Sequence, residues 1–164
     1  MKELLEGRRL GFALRPVLAS IALGLALGVT GMDVVAWFAW GARETNGLVV
    51  ASFGLAAVAT VVGILSTLSA VAEMSDVPED DRTLARLDVA AAAVATALYA
   101  ATALLRWFDQ GAPAATPPAF LLAVAALIVL IAGVGTSALL YAPREWEEIE
   151  DVAPERHGRR AAAR

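Results

Sequence analysis

The sequence predicts an all-α integral membrane protein, a four-transmembrane-helix up-down-up-down bundle with both termini in the cytoplasm. Hydrophobic residues make up 59 % of the 164 residues and charged residues only 18 %, whereas soluble domains have ~45–50 % and ~25 %. Four long stretches are almost free of charge. The connections between them are short, and short connections make neighbouring helices antiparallel.

The four apolar stretches define the domain organisation. Each is close to or longer than the ~20 residues that cross the hydrocarbon of a bilayer, and in lipid such a segment must be helical to satisfy its own backbone. The predicted spans are about 16–41, 48–72, 87–105 and 118–142. They form a transmembrane domain, 16–142, between a basic cytoplasmic segment, 1–15, and a polar cytoplasmic tail, 143–164. The first span is too long for a signal peptide, so we expect it to be retained.

The distribution of positive charge predicts the orientation. Eleven of the thirteen Lys and Arg residues lie on the side of the two termini, and only Arg43 and Arg106 lie on the other side. Because positive residues accumulate on the cytoplasmic side, we expect a multi-pass protein of the cell (inner or plasma) membrane. Trp37, Trp40 and Trp107 are then expected at the outer interface. The abundance of alanine and arginine indicates a prokaryotic inner membrane.

Asp33 is the most informative residue, because it lies inside the first span. Ionisable groups at membrane depth usually face a bundle interior or a water-filled cavity. One hypothesis is an ion or proton site. The other, which we favour, is a structural carboxyl that is neutralised by protonation or by an arginine, for which Arg106 at the end of the third span is the natural partner.

The third span carries a polar stripe, since Asp88, Tyr99, Thr102 and Arg106 fall within about 60° of one another on a helix. Such a stripe is expected to face protein rather than lipid. Its hydroxyls either line a water path or hydrogen-bond a neighbouring helix or their own backbone, and we favour the structural role. Glu73, at the end of the second span, is expected to be solvated.

Gly24, Gly28 and Gly31 form a small-residue motif on the first span. Small residues let helix backbones approach closely. The motif predicts either a homodimer seam or tight packing within the bundle, of which we favour the second.

The sequence lacks the residues that several kinds of chemistry require. The chain has no cysteine, and its one histidine, His157, lies in the tail, which excludes a bis-histidine haem, a histidine metal centre in the bundle and thiol catalysis. The net charge of −4 makes nucleic acid a poor partner. We expect no catalytic residue, no cofactor and no metal.

Short motifs between Arg15 and Tyr141 resemble the four-helix predicted membrane protein family of unknown function, domain-of-unknown-function family 2231. They are the pair Arg15-Pro16, Asp33 near the end of the first span, Asp76-Val77-Pro78, Leu104-Leu105-Arg106 and Leu139-Leu140-Tyr141. The resemblance implies a four-helix membrane fold and no established activity. The family typically has histidines at the positions of Arg15 and Asp88, so a haem or metal role is not implied here.

Two hypotheses of function remain from different classes. The leading one is a small non-enzymatic accessory or scaffold subunit, in contact with the lipid bilayer and with itself as a homo-oligomer or with a larger membrane complex. The alternative is an oligomeric transporter or an ion- or proton-conducting protein that uses Asp33 and the polar face of the third helix. A quinone-linked redox subunit without its own haem is a weaker third reading.

Overall fold

The computed structural model describes residues 14–38, 47–74 and 77–137, and this part of the chain is all-helical. Helix α1 spans Leu14–Trp37, α2 spans Gly47–Glu73, α3 spans Arg82–Phe108 and α4 spans Pro117–Ser137, with a short 3₁₀ helix at Glu79–Asp81 before α3. Each of the four α-helices is long and apolar enough to cross a membrane, which confirms this part of the prediction. Trp40, Arg43 and His157 lie outside the described residues.

The helices differ in their ends from the apolar stretches. Helix α3 begins at Arg82 and ends at Phe108, whereas the predicted span covers only 87–105. The polar residues on either side of the apolar stretch are also helical, so the helix is longer than the predicted span. Pro78 precedes the 3₁₀ helix, and proline disfavours helical backbone in the residue before it. Helix α1 ends at Trp37, earlier than the predicted limit at 41.

The centre of the bundle is built from layers that are mostly small side chains, with Tyr99 as the large one. One layer joins Ala26 of α1, Ala59 of α2, Tyr99 of α3 and Ala126 of α4. The next layer contains Val29, Ala56 and Ala123, with Ala103 packed against it. Because most of these side chains are single methyl groups, the four backbones approach closely and leave little room between them.

Contacts between successive helices pair late residues of one with early residues of the next. Gly28 of α1 is close to Leu55 of α2, while Arg15 contacts Glu73. Between α3 and α4, Ala91 lies close to Gly133, and Tyr99 packs in one layer with Ala126. This contact pattern is consistent with a four-helix bundle.

Polar and charged side chains lie in the interior and large apolar ones lie on the surface, which is the reverse of a soluble protein. The largest fully buried side chains are Arg106, Val29, Val49, Thr102, Asp33, Ser52 and Ser69. Large aliphatic side chains such as Val61, Ile64 and Leu121 are instead exposed. Large contiguous apolar patches of this kind are rare on soluble monomers.

The glycines of α1 point in different directions. Gly28 is close to the Leu55 side chain, and a Cβ there would lie 3.1 Å from Leu55 Cδ1. Gly24 and Gly31 are exposed, and no atom lies within 4 Å of a Cβ built at either position. Among the described residues, therefore, only Gly28 of the three makes a close contact between helices.

We predict that Gly63→Ala destabilises the bundle by about 1–3 kcal/mol, as overpacking usually does. A Cβ at Gly63 would lie 2.5 Å from Thr96 Oγ1 and 3.3 Å from its Cβ. Thr96 is branched at Cβ and its hydroxyl bonds the Ala92 carbonyl, so it has little freedom to move. Unfolding in mixed detergent measures the effect. Gly54→Ala on the same helix is the control, because that position is open, and equal stability of the two variants would contradict the argument.

Candidate functional site

Helices α1 and α3 are joined by a buried ion pair near the ends at which Trp37 and Phe108 lie. Arg106 Nη2 donates a hydrogen bond to Asp33 Oδ2, and both side chains are 1 % exposed. Ser52 of α2 adds its hydroxyl beside the Asp33 carboxylate. The structure therefore places Asp33 and Arg106 together, the partnership that the sequence analysis favours.

Two further polar side chains of α3 belong to the same region. Thr102 is fully buried and Tyr99 is 3 % exposed. Tyr99 lies near enough to the Arg106 guanidinium for the two to interact electrostatically. We call these five residues the Arg106 cluster, namely Asp33, Ser52, Tyr99, Thr102 and Arg106.

The Arg106 cluster has more hydrogen-bonding groups than partners. Within the described part of the chain, Arg106 Nε and Nη1, Thr102 Oγ1 and the Tyr99 hydroxyl make no hydrogen bond. An unsatisfied buried polar group costs roughly 1–3 kcal/mol. Three side chains on one helix face therefore have polar atoms without a protein partner in the same small region.

A second charged group joins all four helices at their opposite ends. Arg15 of α1 contacts Asp88 of α3, and its Nη1 donates to Glu73 Oε2 of α2 at 3.3 Å. Ser137 of α4 donates to Asp88 Oδ1 at 2.7 Å and accepts from Arg15 Nη2 at 3.4 Å. We call these four residues the Arg15 cluster. A cavity of about 30 Å³ beside it is lined in part by Ser66 and Gly133.

The residues of the two ion pairs have the same spacing on α1 and on α3. Arg15 and Asp33 are 18 residues apart on α1, and so are Asp88 and Arg106 on α3. Eighteen residues make five helical turns and about 27 Å, so both charges of each helix lie on one face. In both pairs the partners are 73 residues apart. Helices α1 and α3 therefore run in the same direction, with their charges in opposite order.

The core between the two pairs keeps the same register. Ala22, Ala26 and Val29 of α1 are buried, and so are the α3 residues 73 positions later. Those α3 residues are Ala95, Tyr99 and Thr102. One continuous face of α1 therefore lies opposite one continuous face of α3, with charge at both ends and small or hydroxyl side chains between.

Part of the Arg15 cluster differs from what the sequence predicts. The sequence places Arg15 in the positive flank and predicts a solvated Glu73, but the structure buries Arg15 to 7 % exposure and gives Glu73 a salt bridge. The signal that was available is the equal spacing of 18 residues on α1 and α3. Asp88 contacts Arg15 at the end opposite Arg106, so the polar stripe of α3 is divided between two clusters.

Neither cluster has the composition of a metal site. In residues 14–38, 47–74 and 77–137, no three His, Cys, Asp or Glu side chains are grouped so that they could hold a metal ion. In each cluster the acidic side chains are paired with an arginine.

Comparisons with protein-family models, with curated proteins and with solved structures find no match for this chain. The resemblance to the four-helix family stays a prediction. The two positions at which that family typically has histidines, Arg15 and Asp88, contact each other here.

We predict that Asp33→Asn destabilises the protein by about 3–5 kcal/mol, because it leaves the buried Arg106 without its counter-charge. The double variant Asp33→Asn with Arg106→Gln removes both charges and should lose less stability than Asp33→Asn alone. Unfolding in mixed detergent, measured as a double-mutant cycle, checks the coupling. Additive losses would show that the two side chains do not stabilise each other.

We predict a smaller loss for Asp88→Asn than for Asp33→Asn. Arg15 keeps Glu73 as a second counter-charge, whereas Arg106 has only Asp33 as its acidic partner among the described residues. Adding Glu73→Gln to Asp88→Asn should then cost more than the sum of the two single changes. The same unfolding assay measures this, and a loss at Asp88 as large as that at Asp33 would contradict it.

Proposed function

We propose that this chain is a non-enzymatic accessory or scaffold protein of the cell membrane. Its four helices insert as an up-down-up-down bundle, and both termini lie in the cytoplasm. The observation that carries the proposal is the pair of matched ion pairs, Arg15–Asp88 and Asp33–Arg106, which compensate buried charge inside the bundle. A charge that is matched in this way holds helices together and is not free to bind a substrate.

The spacing of the two pairs supports membrane insertion. They are separated by about 27 Å along the helices, and the hydrocarbon of a bilayer is ~30 Å thick. Each pair then lies near one boundary of the hydrocarbon, where a charged group costs less than at its centre. The exposed rings of Trp37, Phe38, Trp107 and Phe108 lie at one end of the bundle, as aromatic side chains do at a membrane interface.

The positive residues support the orientation. Arg15 belongs to an ion pair, yet the remaining Lys and Arg residues are still concentrated on the side of the termini. Arg82 and Arg86 lie at the start of α3, on the same side as Arg15. This side is therefore assigned to the cytoplasm.

The packing of the centre supports a structural role. The layers of Ala26, Ala59 and Ala126 fill the space between the two clusters. Thr96, which lies between Asp88 and Tyr99 on α3, directs its hydroxyl to the Ala92 carbonyl of its own helix. A conducting path would need an unbroken series of polar groups or water across this segment, and the alanines that surround Tyr99 in this layer interrupt it.

Native mass spectrometry of the full chain, extracted gently from its own membrane, tests the accessory role. We expect additional protein mass bound to the chain in a fixed ratio, because a scaffold acts by holding other proteins. A monomer or homo-oligomer without another protein would contradict an accessory role.

Proton or ion conduction is the second candidate, and the unpartnered groups of Tyr99, Thr102 and Arg106 favour it. Liposomes that contain the parent protein distinguish the two functions. A scaffold gives the same proton leak as protein-free liposomes. A conductor gives a leak that falls in Tyr99→Phe and Thr102→Val but persists in Thr60→Val, whose hydroxyl bonds the Ala56 carbonyl. The last result would overturn the scaffold proposal.

A further inference from the structure

Thr102 is the exception among the helical threonines of the interior. The hydroxyls of Thr30, Thr60, Thr67 and Thr96 each donate to the carbonyl four residues earlier in the same helix, which is how threonine usually satisfies itself in a membrane helix. Thr102 is fully buried and makes no such bond. Its hydroxyl is therefore available to another group.

The other available groups lie on the same helix face. Thr102 and Arg106 are four residues apart, so one lies above the other on α3. A long helical side chain extends toward the N-terminus of its helix, and this is the direction in which Thr102 lies from Arg106. Tyr99 is one turn further along the face and interacts electrostatically with the guanidinium. Three buried polar side chains thus converge beside Asp33.

The chemistry of the free atoms defines what they bind. Arg106 Nε and Nη1 carry three N–H donors and no acceptor, while the two hydroxyls can donate or accept. The charge of Arg106 is already balanced by Asp33, so an anion would add an unmatched charge. The fitting ligand is neutral, small and able to accept and donate at once. Water has these properties, and buried waters typically make ~3 hydrogen bonds to groups of this kind.

We propose that the Arg106 cluster is an internal hydration site, in which bound water accepts from the Arg106 guanidinium and bridges to Thr102 and Tyr99. This inference rests on the proposed structural function of the Asp33–Arg106 pair and adds its third component. Water completes the hydrogen bonding of a guanidinium that the protein satisfies on one side only. The pair can then stay charged although it is 1 % exposed.

Nuclear magnetic resonance of the full chain in lipid nanodiscs, labelled with ¹⁵N-arginine, tests the site. The Arg106 Nε–H resonance is assigned through its own backbone. We expect a cross-relaxation peak between this proton and water that survives when a paramagnetic chelate is added to the bulk solvent. The Arg82 guanidinium, whose side chain is 50 % exposed, is the control and should be broadened by the chelate.

Matched variants show which side chains hold the water. Thr102→Val should reduce the water peak of Arg106 at least about twofold, since it removes one of the water's ~3 bonds. Thr60→Val removes a hydroxyl that bonds its own helix and should leave the peak unchanged. Tyr99→Phe gives a second, independent removal if Thr102→Val does not fold.

A different result would overturn the hydration site. The proposal fails if the Arg106 Nε–H resonance shows no water peak, or if its through-space contacts run directly to the Thr102 or Tyr99 hydroxyl. The double-mutant cycle of Asp33 and Arg106 is a separate measurement. Coupled charges without a water peak would retain the structural pair and reject the water, whereas uncoupled charges would reject the structural pair itself.

Discussion

The register between α1 and α3 depends on balancing charge in the buried interior of the bundle. A guanidinium and a carboxylate are costly to bury unless they meet each other, so the two helices are constrained to the one register that pairs Arg15 with Asp88 and Asp33 with Arg106. A shift of α3 by one residue would rotate its charges by about 100° and separate both pairs. Hydrophobic packing of alanines alone would tolerate several registers, and charge selects one of them.

The two ends of the bundle solve this problem differently. Arg15 contacts acceptors from three other helices. Arg106 meets a single carboxylate among the described residues, and its Nε and Nη1 make no hydrogen bond to the protein there. Arg15 is held by contacts with three other helices, whereas Arg106 is held by its contact with Asp33. Substitutions at the two ends therefore differ in severity, although both ends contain the same pair of residue types.

The four helices could be predicted because length and apolarity alone identify segments that are long and apolar enough to cross a membrane. The partnership of Asp33 and Arg106 was also accessible, since both are charges placed toward the same end of parallel spans. The buried role of Arg15 could not be predicted, because other arginines precede it in the N-terminal flank. The sequence does not distinguish an arginine of a charged flank from one that forms a buried ion pair. The free hydroxyl of Thr102 could not be predicted, because its neighbour Thr96 has the same residue type and differs only in where its side chain points.

The distance of 73 residues between the members of each pair has a consequence for biosynthesis. At ~5–20 residues per second, a ribosome takes about 4 to 15 seconds to add 73 residues. Asp33 and Arg15 are therefore made several seconds before Arg106 and Asp88 exist. During this interval Asp33 has no arginine partner, whereas Arg15 has the Glu73 carboxylate as soon as α2 has been made. The third helix is therefore the one that completes the charge pairing of the first.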